Sequence, residues 1–239
     1  MHALQERFQQ QIQELARTAN RLADLGYVTS QGGNLSMRVE EDALLITPTK
    51  VAKLDVRFED ICVITLQGNV LYAAPGRRPT GEWPFHTRIM RNRPDVRGII
   101  HAHPPALTGF ATAGINALAK PYLPEPVLEV GPMVMVPYAV PLSEELAENF
   151  DHYIHRSNGF LMENHGALMV SPEGIGRALE LLEMMEATAR SLAYAAVLGG
   201  AKTLSRQDVA DLEEVLRVRN LPMPGLPGAV EHLADIFEF

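Results

Sequence analysis

The sequence predicts a mixed α/β fold in which helices pack on the faces of a central, mostly antiparallel sheet. Two observations lead to this prediction: short apolar runs typical of strands lie in the middle of the chain, and helical patterns lie mainly at its two ends. The chain has 239 residues, of which 46% are apolar. That length is enough to bury a large core, so we expect a single domain spanning residues 1–239.

Apolar runs and turn signals define the predicted elements in order. Apolar residues at helical spacing from Leu4 to Leu25 predict a first helix, which Gly26 ends. The segment Tyr27–Arg38 contains two adjacent glycines and is predicted to be a loop. The remaining predicted elements are strands at 43–47 and 62–66, a helix from Gly81 to just before Pro94, strands at 98–103 and 133–137, a helix from Ser143 to about His155, strands at 160–162 and 167–170, a helix from Ser171 to Gly199, and a helix that Ser205 caps.

Charge and composition exclude several classes of function. The formal net charge of −8 argues against an extended nucleic-acid or anionic-membrane surface. No apolar segment approaches the ~20 residues that a membrane span needs, and no signal peptide is visible. The single cysteine, Cys62, excludes an intrachain disulfide. We therefore expect a cytoplasmic protein with a small-molecule substrate and no nucleic-acid or membrane partner.

Three histidines are the candidate metal ligands. His101 and His103 are two residues apart in a predicted strand, so their side chains point to the same face, and Pro104 ends that strand at the edge of the sheet. His165 lies in a tight connection before Gly166. Each histidine alone is more typical of a surface or turn position. Together they match a catalytic metal site with three protein ligands and one open position, for which zinc is favoured and manganese, iron or cobalt are alternatives.

Glu82 is the candidate catalytic acid/base. A carboxylate beside a divalent cation can move a proton at a metal-bound oxygen. The alternative is structural, because Glu82 falls in the first turn of a predicted helix, where a negative charge complements the helix dipole. His86, one helical turn later, is interpreted as packing beneath Glu82.

Small-residue loops provide candidate sites for an anionic substrate group. They combine backbone N–H groups with hydroxyls and few bulky side chains, although each is also an ordinary turn signal. The candidate substrate-binding residues in them are Gly33, Asn34, Thr49, Lys50, Thr80 and Gly81.

The motifs together resemble the class II aldolase/adducin family. In order they read Gly-Gly-Asn-Leu-Ser, Ile-Thr-Pro-Thr, Pro-Thr-Gly-Glu, Arg-Pro-Asp-Val, His-Ala-His-Pro and Asn-His-Gly, between about Leu15 and Leu198. The resemblance implies an α/β/α fold, a homotetramer and active sites at subunit interfaces. It also implies that the three histidines bind the metal, that Glu82 is the acid/base, and that Asn34, Thr49 and Thr80 bind a substrate phosphate. Tyr122 matches a tyrosine that protonates the aldehyde product, or else is an aromatic anchor beside Pro121.

Two departures from the family bear on the substrate. Lys50 stands where the aldolases usually have glycine, and Thr80-Gly81 stands where they usually have two serines. Lys50 either binds an anionic group, fills the pocket or is a solvated loop residue.

The family resemblance implies retro-aldol cleavage of a ketose phosphate through an enediolate that the ion stabilises. The alternative is decarboxylation of a hydroxylated or oxo acid, whose carboxylate Lys50 and Arg77 or Arg78 would hold.

Overall fold

An eight-stranded sheet forms the centre of the computed structural model, which describes residues 2–239. The strand order is β4-β3-β2-β1-β5-β8-β7-β6. Every neighbouring pair is antiparallel except β6 and β7, so the expected mostly antiparallel sheet is confirmed. The strands are β1 (Asn34–Glu40), β2 (Ala43–Ile46), β3 (Cys62–Ile64), β4 (Val70–Tyr72), β5 (Gly98–Ala102), β6 (Val134–Val136), β7 (Gly159–Met162) and β8 (Gly166–Ser171).

Residues 2–239 contain eight α-helices. Ser143 and Ser205 cap two of them with their hydroxyl groups, as their positions in the sequence predict. None of the described helices is long and apolar enough to cross a bilayer. The helices are α1 (Ala3–Arg7), α2 (Gln9–Asp24), α3 (Trp83–Asn92), α4 (Pro105–Ala113), α5 (Pro124–Glu129), α6 (Glu144–Asn149), α7 (Ile175–Val197) and α8 (Arg206–Arg219).

Apolar side chains cover both faces of the sheet, because successive strand residues point to opposite sides. Ile100 packs in the core cluster that includes residues of α2, α4 and α7. Its neighbour Ile99 packs in the second cluster, with Phe85 of α3 and Leu146 of α6. The central strands are therefore buried on both faces, and strands such as β5 and β8 lack the alternation of polar and apolar residues that marks a half-exposed strand.

Several predicted boundaries are wrong for local reasons. The segment predicted as a loop from Tyr27 contains the start of β1, because Gly32-Gly33-Asn34 is typical of a turn and that signal masks the alternation of polar and apolar residues that begins at Asn34. The helix after Ser143 ends at Asn149 and continues only as one 3₁₀ turn. The helix expected from Ser171 begins at Ile175, because Ser171 completes β8. Strand β4 and helices α4 and α5 were not predicted, since each is short.

Candidate metal centre and active site

Strand β5 and the β7–β8 turn bring the three histidines together. His101 lies on β5 and His103 directly follows it, whereas His165 lies in the turn that ends where β8 begins. Because β5 pairs with β8, this turn is adjacent to the end of β5. One ring nitrogen of each histidine lies within 4.8 Å of the others, and the Nε2 atoms of His101 and His103 are 3.1 Å apart.

The protonation of the triad suits metal binding. His101 Nδ1 lies 3.0 Å from the carbonyl oxygen of Ala167, so Nδ1 carries the hydrogen and Nε2 offers its lone pair. Burial, with the neighbouring imidazoles, holds the pKa of His101 well below its usual value. Burial first, and then His165 and Lys53, lowers the pKa of His103 to about 4. Both rings are therefore neutral at pH 7, which is the form that binds a metal ion.

The spacing of the nitrogens fits a single tetrahedral ion. Two imidazoles bound at about 2.1 Å with tetrahedral angles place their nitrogens roughly 3.4 Å apart. The distance of 3.1 Å between the Nε2 atoms of His101 and His103 is close to that value. One ring nitrogen from each of the three histidines lies within 4.8 Å of the others, so only small movements of the rings are needed to reach the spacing of metal ligands. The triad could therefore hold a divalent metal ion.

Gly166 is required at this centre by close packing. A Cβ atom there would lie 2.5 Å from Cδ2 of His103 and 2.6 Å from the carbonyl oxygen of Ala102. The positive φ of the turn falls at Asn164 (φ 53°), so backbone freedom at Gly166 is not the reason for the glycine. The glycine at this position is therefore a steric requirement.

Glu82 points at the triad instead of capping its own helix. It is the N-cap residue of α3, but its side chain makes no capping hydrogen bond, and the helix starts two residues later than expected. Its Oε2 lies 3.6 Å from His101 Nε2, and its Oε1 lies 3.6 Å from His165 Nε2. Asn34 Nδ2 donates to Oε2 at 2.6 Å. The helix-dipole interpretation therefore does not describe its main contacts.

The three small-residue loops meet beside this carboxylate. Pro48 and Pro79 form an isolated antiparallel bridge, and Thr80 N donates to Thr47 O at 3.0 Å. A Cβ at Gly32 would lie 3.2 Å from His103 Nδ1, so the glycine loop also touches the triad. These contacts bring together loops that are up to 48 residues apart in the sequence.

The side chain of Asn34 is used differently from what the family resemblance implies. It is buried, with Nδ2 on Glu82 and Oδ1 2.5 Å from His86 Nε2. Both ends of its amide are therefore occupied by protein groups, and neither is turned toward an anionic ligand.

Lys50 stands at the rim of a charged cavity. Its backbone is left-handed, with φ 59°, which is the conformation that glycine adopts most easily. The side chain is exposed beside a cavity of about 570 Å³. The other lining residues that carry charge are Asp55, Arg57, Glu59, Asp60 and Arg77.

Lys53 is a buried cation that the sequence did not single out. Its Nζ donates to the carbonyl oxygens of Gln31 at 3.1 Å and Val51 at 3.5 Å, and only 1% of the residue is exposed. Among the described residues, no carboxylate lies within ion-pair distance of Nζ, although the charge of Glu82 reaches it. Burial lowers the pKa of Lys53 to about 8. The residues next to Lys53 in the sequence do not indicate that its side chain is buried.

Tyr122 lies in a different part of the subunit. It lines an apolar groove of about 540 Å³ together with Phe110 of α4 and Leu192 of α7. None of the three histidines, nor Glu82, lines this groove. Within one subunit the structure does not bring Tyr122 to the candidate active site.

Comparison with known proteins agrees with the fold and identifies the family. The model of the class II aldolase and adducin N-terminal domain matches residues 13–193. A 3-oxo-tetronate 4-phosphate decarboxylase of Pectobacterium atrosepticum is 32% identical over 192 residues, which are 78% of this chain and 85% of the relative. An L-fuculose phosphate aldolase of Methanococcus maripaludis is 31% identical over 169 residues, which are 71% of this chain and 88% of the relative.

The fold also resembles that of a solved structure. The Klebsiella pneumoniae protein YgbL, described as an aldolase, epimerase or decarboxylase, superposes with a TM-score of 0.76 at 29% identity. The match covers 85% of this chain and 98% of that structure. The chain belongs to the class II aldolase/adducin family. It is a lyase of the class II aldolase type, as its decarboxylase and aldolase relatives are.

Proposed function

We propose that this chain catalyses metal-dependent cleavage of a carbon–carbon bond next to a carbonyl group in a small anionic substrate. The observation that carries the proposal is the position of Glu82, whose two oxygens each lie 3.6 Å from an imidazole Nε2 of the triad. A carboxylate at this distance can reach a substrate that is bound at an open coordination position of the same ion.

His101, His103 and His165 would hold the ion, and zinc suits three neutral imidazoles best. When bound, a divalent ion supplies Lewis acidity toward carbonyl and hydroxyl oxygens of the substrate. The chain's own residues hold the imidazoles in place. The carbonyl oxygen of Ala167 fixes His101, and the close packing at Gly166 fixes His103.

Aldol cleavage of a ketose phosphate is the first candidate reaction. Glu82 takes the proton of the hydroxyl group on the carbon that departs, the carbon–carbon bond breaks, and the departing carbon becomes an aldehyde. The electron pair stays on the carbon next to the carbonyl group. Glu82 then returns a proton to that carbon, so the residue ends the cycle as it began.

Decarboxylation of an oxo acid is the second candidate, and the similarity to known decarboxylases favours it. Relatives of 28–32% identity carry the name 3-oxo-tetronate 4-phosphate decarboxylase. Carbon dioxide leaves without needing a proton, so only the carbon that remains must be protonated, and Glu82 can do this once it carries a proton.

The loops of Gly33, Thr49, Lys50, Thr80 and Gly81 would bind the anionic end of the substrate, which is a phosphate in the named relatives. Their contacts with one another hold them against the glycine loop that touches His103. We also propose that the protein is a homotetramer, and that Tyr122 reaches the active site of a neighbouring subunit.

Turnover of two phosphates tests the reaction and its catalytic groups. Purified, zinc-loaded protein is incubated with L-fuculose 1-phosphate, with aldehyde release as the readout, and with 3-oxo-tetronate 4-phosphate, with carbon dioxide release as the readout. In the active assay, Glu82→Gln should keep its metal but lower kcat on the order of 100-fold or more. His103→Ala should lose both metal and turnover. Full activity of Glu82→Gln with normal metal content would refute the assignment of the acid/base.

A further inference from the structure

A chain of buried hydrogen bonds lies behind Glu82. Ser36 Oγ lies 2.7 Å from His86 Nδ1, and His86 Nε2 lies 2.5 Å from Asn34 Oδ1. Asn34 Nδ2 then donates to Glu82 Oε2 at 2.6 Å. All four residues are buried, so water does not compete for these contacts.

Strand register brings these residues to one place. Asn34 and Ser36 are two residues apart on β1, so they share a face of the sheet, and Asn34 is paired with His101 of β5. Glu82 and His86 are four residues apart at the start of α3, so they also share a face of that helix. The two pairs meet where α3 packs on the sheet.

Each link has a fixed direction. An amide oxygen only accepts, so His86 Nε2 must carry the hydrogen that Asn34 Oδ1 receives. Burial lowers the pKa of His86 to about 3, and the ring is therefore neutral. His86 Nδ1 is then a bare acceptor and receives the hydroxyl hydrogen of Ser36. The carboxylate of Glu82 can only accept, so the amide nitrogen of Asn34 faces it and the amide oxygen faces His86, because the reverse orientation would place two oxygens against each other.

The two oxygens of Glu82 are left in different situations. Oε2 receives the amide hydrogen of Asn34 and lies near His101. Oε1 faces His165 at 3.6 Å and receives no hydrogen bond from the described residues. One oxygen is held by the protein, and the other is open toward the place where the substrate would lie.

We propose that Ser36 and His86 are positioning residues that act through Asn34 to direct Glu82. They fix the amide so that it holds one carboxylate oxygen and leaves the other to exchange a proton with the substrate. This role rests on the proposed function, in which Glu82 is the acid/base. A network that only stabilised the fold would not need to end on that carboxylate.

The first test is a double-mutant cycle with the substrate that the assay above identifies. His86→Phe removes both ring nitrogens and keeps an aromatic ring stacked on Phe85, whose centroid lies 4.6 Å away. It should lower kcat about 10-fold or more and change KM by less than about 3-fold. In an Asn34→Ala background the same change should cost less than about 2-fold, because the residue through which it acts is already missing.

Thr87→Val is the matched control. Thr87 is as buried as His86, lies next to it on α3, and bonds only to the carbonyl oxygen of Pro84. Thr87→Val should keep the kcat of the wild type. Ser36→Ala, a second test variant, should lower kcat by less than His86→Phe does. Metal content and melting temperature are measured for every variant. Equal losses in the wild-type and Asn34→Ala backgrounds would overturn the positioning role.

The second test needs neither activity nor a variant that folds. In the ¹⁵N NMR spectrum of the zinc-loaded wild-type protein, the ring of His86 should show a protonated Nε2 and an unprotonated Nδ1. A proton on Nδ1 would overturn the proposed direction of the hydrogen bonds.

The kinetic results separate the two proposals. If Glu82→Gln is slow but His86→Phe is fully active, the positioning role fails while the proposed function stands. A fully active Glu82→Gln removes the proposed function instead.

Discussion

Lys53 places an ammonium group in the interior, within reach of the charge of Glu82 and near the neutral ring of His103. Two carbonyl oxygens accept its hydrogen bonds, but burial still penalises the charged form. The folded protein therefore holds the proton on Lys53 less tightly than the unfolded chain does. Between the folded pKa of about 8 and the ordinary value of 10.5, the unfolded state binds more protons, and stability rises with pH.

The corresponding prediction concerns Lys53→Met. At pH 7 the variant should gain stability, by at most about 3 kcal/mol, because it no longer buries a charge; the lost hydrogen bonds offset part of that gain. Its advantage over the wild type should shrink between pH 8 and pH 10.5, since the wild-type lysine loses its proton there. Urea unfolding of both proteins at pH 7 and pH 10 measures this difference. A constant difference across that range would contradict the buried charge.

The backbone of Lys50 has an unfavourable left-handed conformation, and its side chain carries a charge that the proposed function assigns to substrate binding. A residue with a Cβ atom in the left-handed region costs about 1 kcal/mol relative to glycine. Lys50→Gly should therefore raise the unfolding free energy by up to about that amount. Under the proposed function, in which Lys50 binds the anionic end of the substrate, the change should also raise KM for a phosphorylated substrate, because a point charge is lost from the binding site.

Lys120→Gly is the control for the change at Lys50. Lys120 has an extended backbone (φ −99°), so glycine there should only lower stability through added freedom of the unfolded chain. If Lys50→Gly leaves KM unchanged for both phosphates, Lys50 lies outside the substrate site.

At the scale of elements, the contact between β5 and the start of β8 decides the geometry of the histidines. A Cβ atom at Gly166 would overlap both His103 and the backbone of Ala102, and backbone cannot move away cheaply. We expect Gly166→Ala to lower stability by about 1–3 kcal/mol and to weaken zinc binding, because the strands must separate and carry the ligands with them.

Zinc competition and thermal unfolding test the change at Gly166. Gly176→Ala is its control, since a Cβ there meets its nearest atom at an ordinary 3.5 Å and the residue lies in α7. That variant should be as stable as the wild type or more stable, because alanine favours a helix. Unchanged zinc affinity in Gly166→Ala would show that the strand contact does not set the ligand positions.

At the scale of the whole molecule, the C-terminal end of α7 leaves an apolar surface uncovered. Val197 is 85% exposed and Leu198 is 86% exposed, and the groove that contains Tyr122 lies along the same helix. Exposed apolar surface of this kind is typical of an interface between proteins. It supports the homotetramer that we propose, in which this face is covered by a neighbouring subunit.

Val197→Glu tests the assembly. A carboxylate on a covered apolar face is costly, so the variant should dissociate into smaller species at micromolar concentration, whereas the wild type should have the mass of a tetramer in light scattering. Val218→Glu is the control, because Val218 is similarly exposed on α8 and away from the groove. A monomeric wild type would contradict the proposed assembly.

The sequence by itself determined the kinds of residue in the site and the order of the elements. The spacing of His101 and His103 identified a shared face of a strand, and the mostly antiparallel sheet followed from where the apolar runs lie. These features are local, and hydrophobic periodicity reports them directly. The same method missed the start of β1, because the turn signal of Gly32-Gly33-Asn34 overlaps the first residue of the strand.

Only the tertiary structure decided which of these residues act on one another. Asn34 and Glu82 are 48 residues apart, and their contact depends on the register of β1 against β5 and on how α3 packs over both. The burial of Lys53 and the position of Tyr122 outside the active site of its own subunit also depend on tertiary packing. Register and packing arise from the whole core at once, so no local pattern of residues carries them.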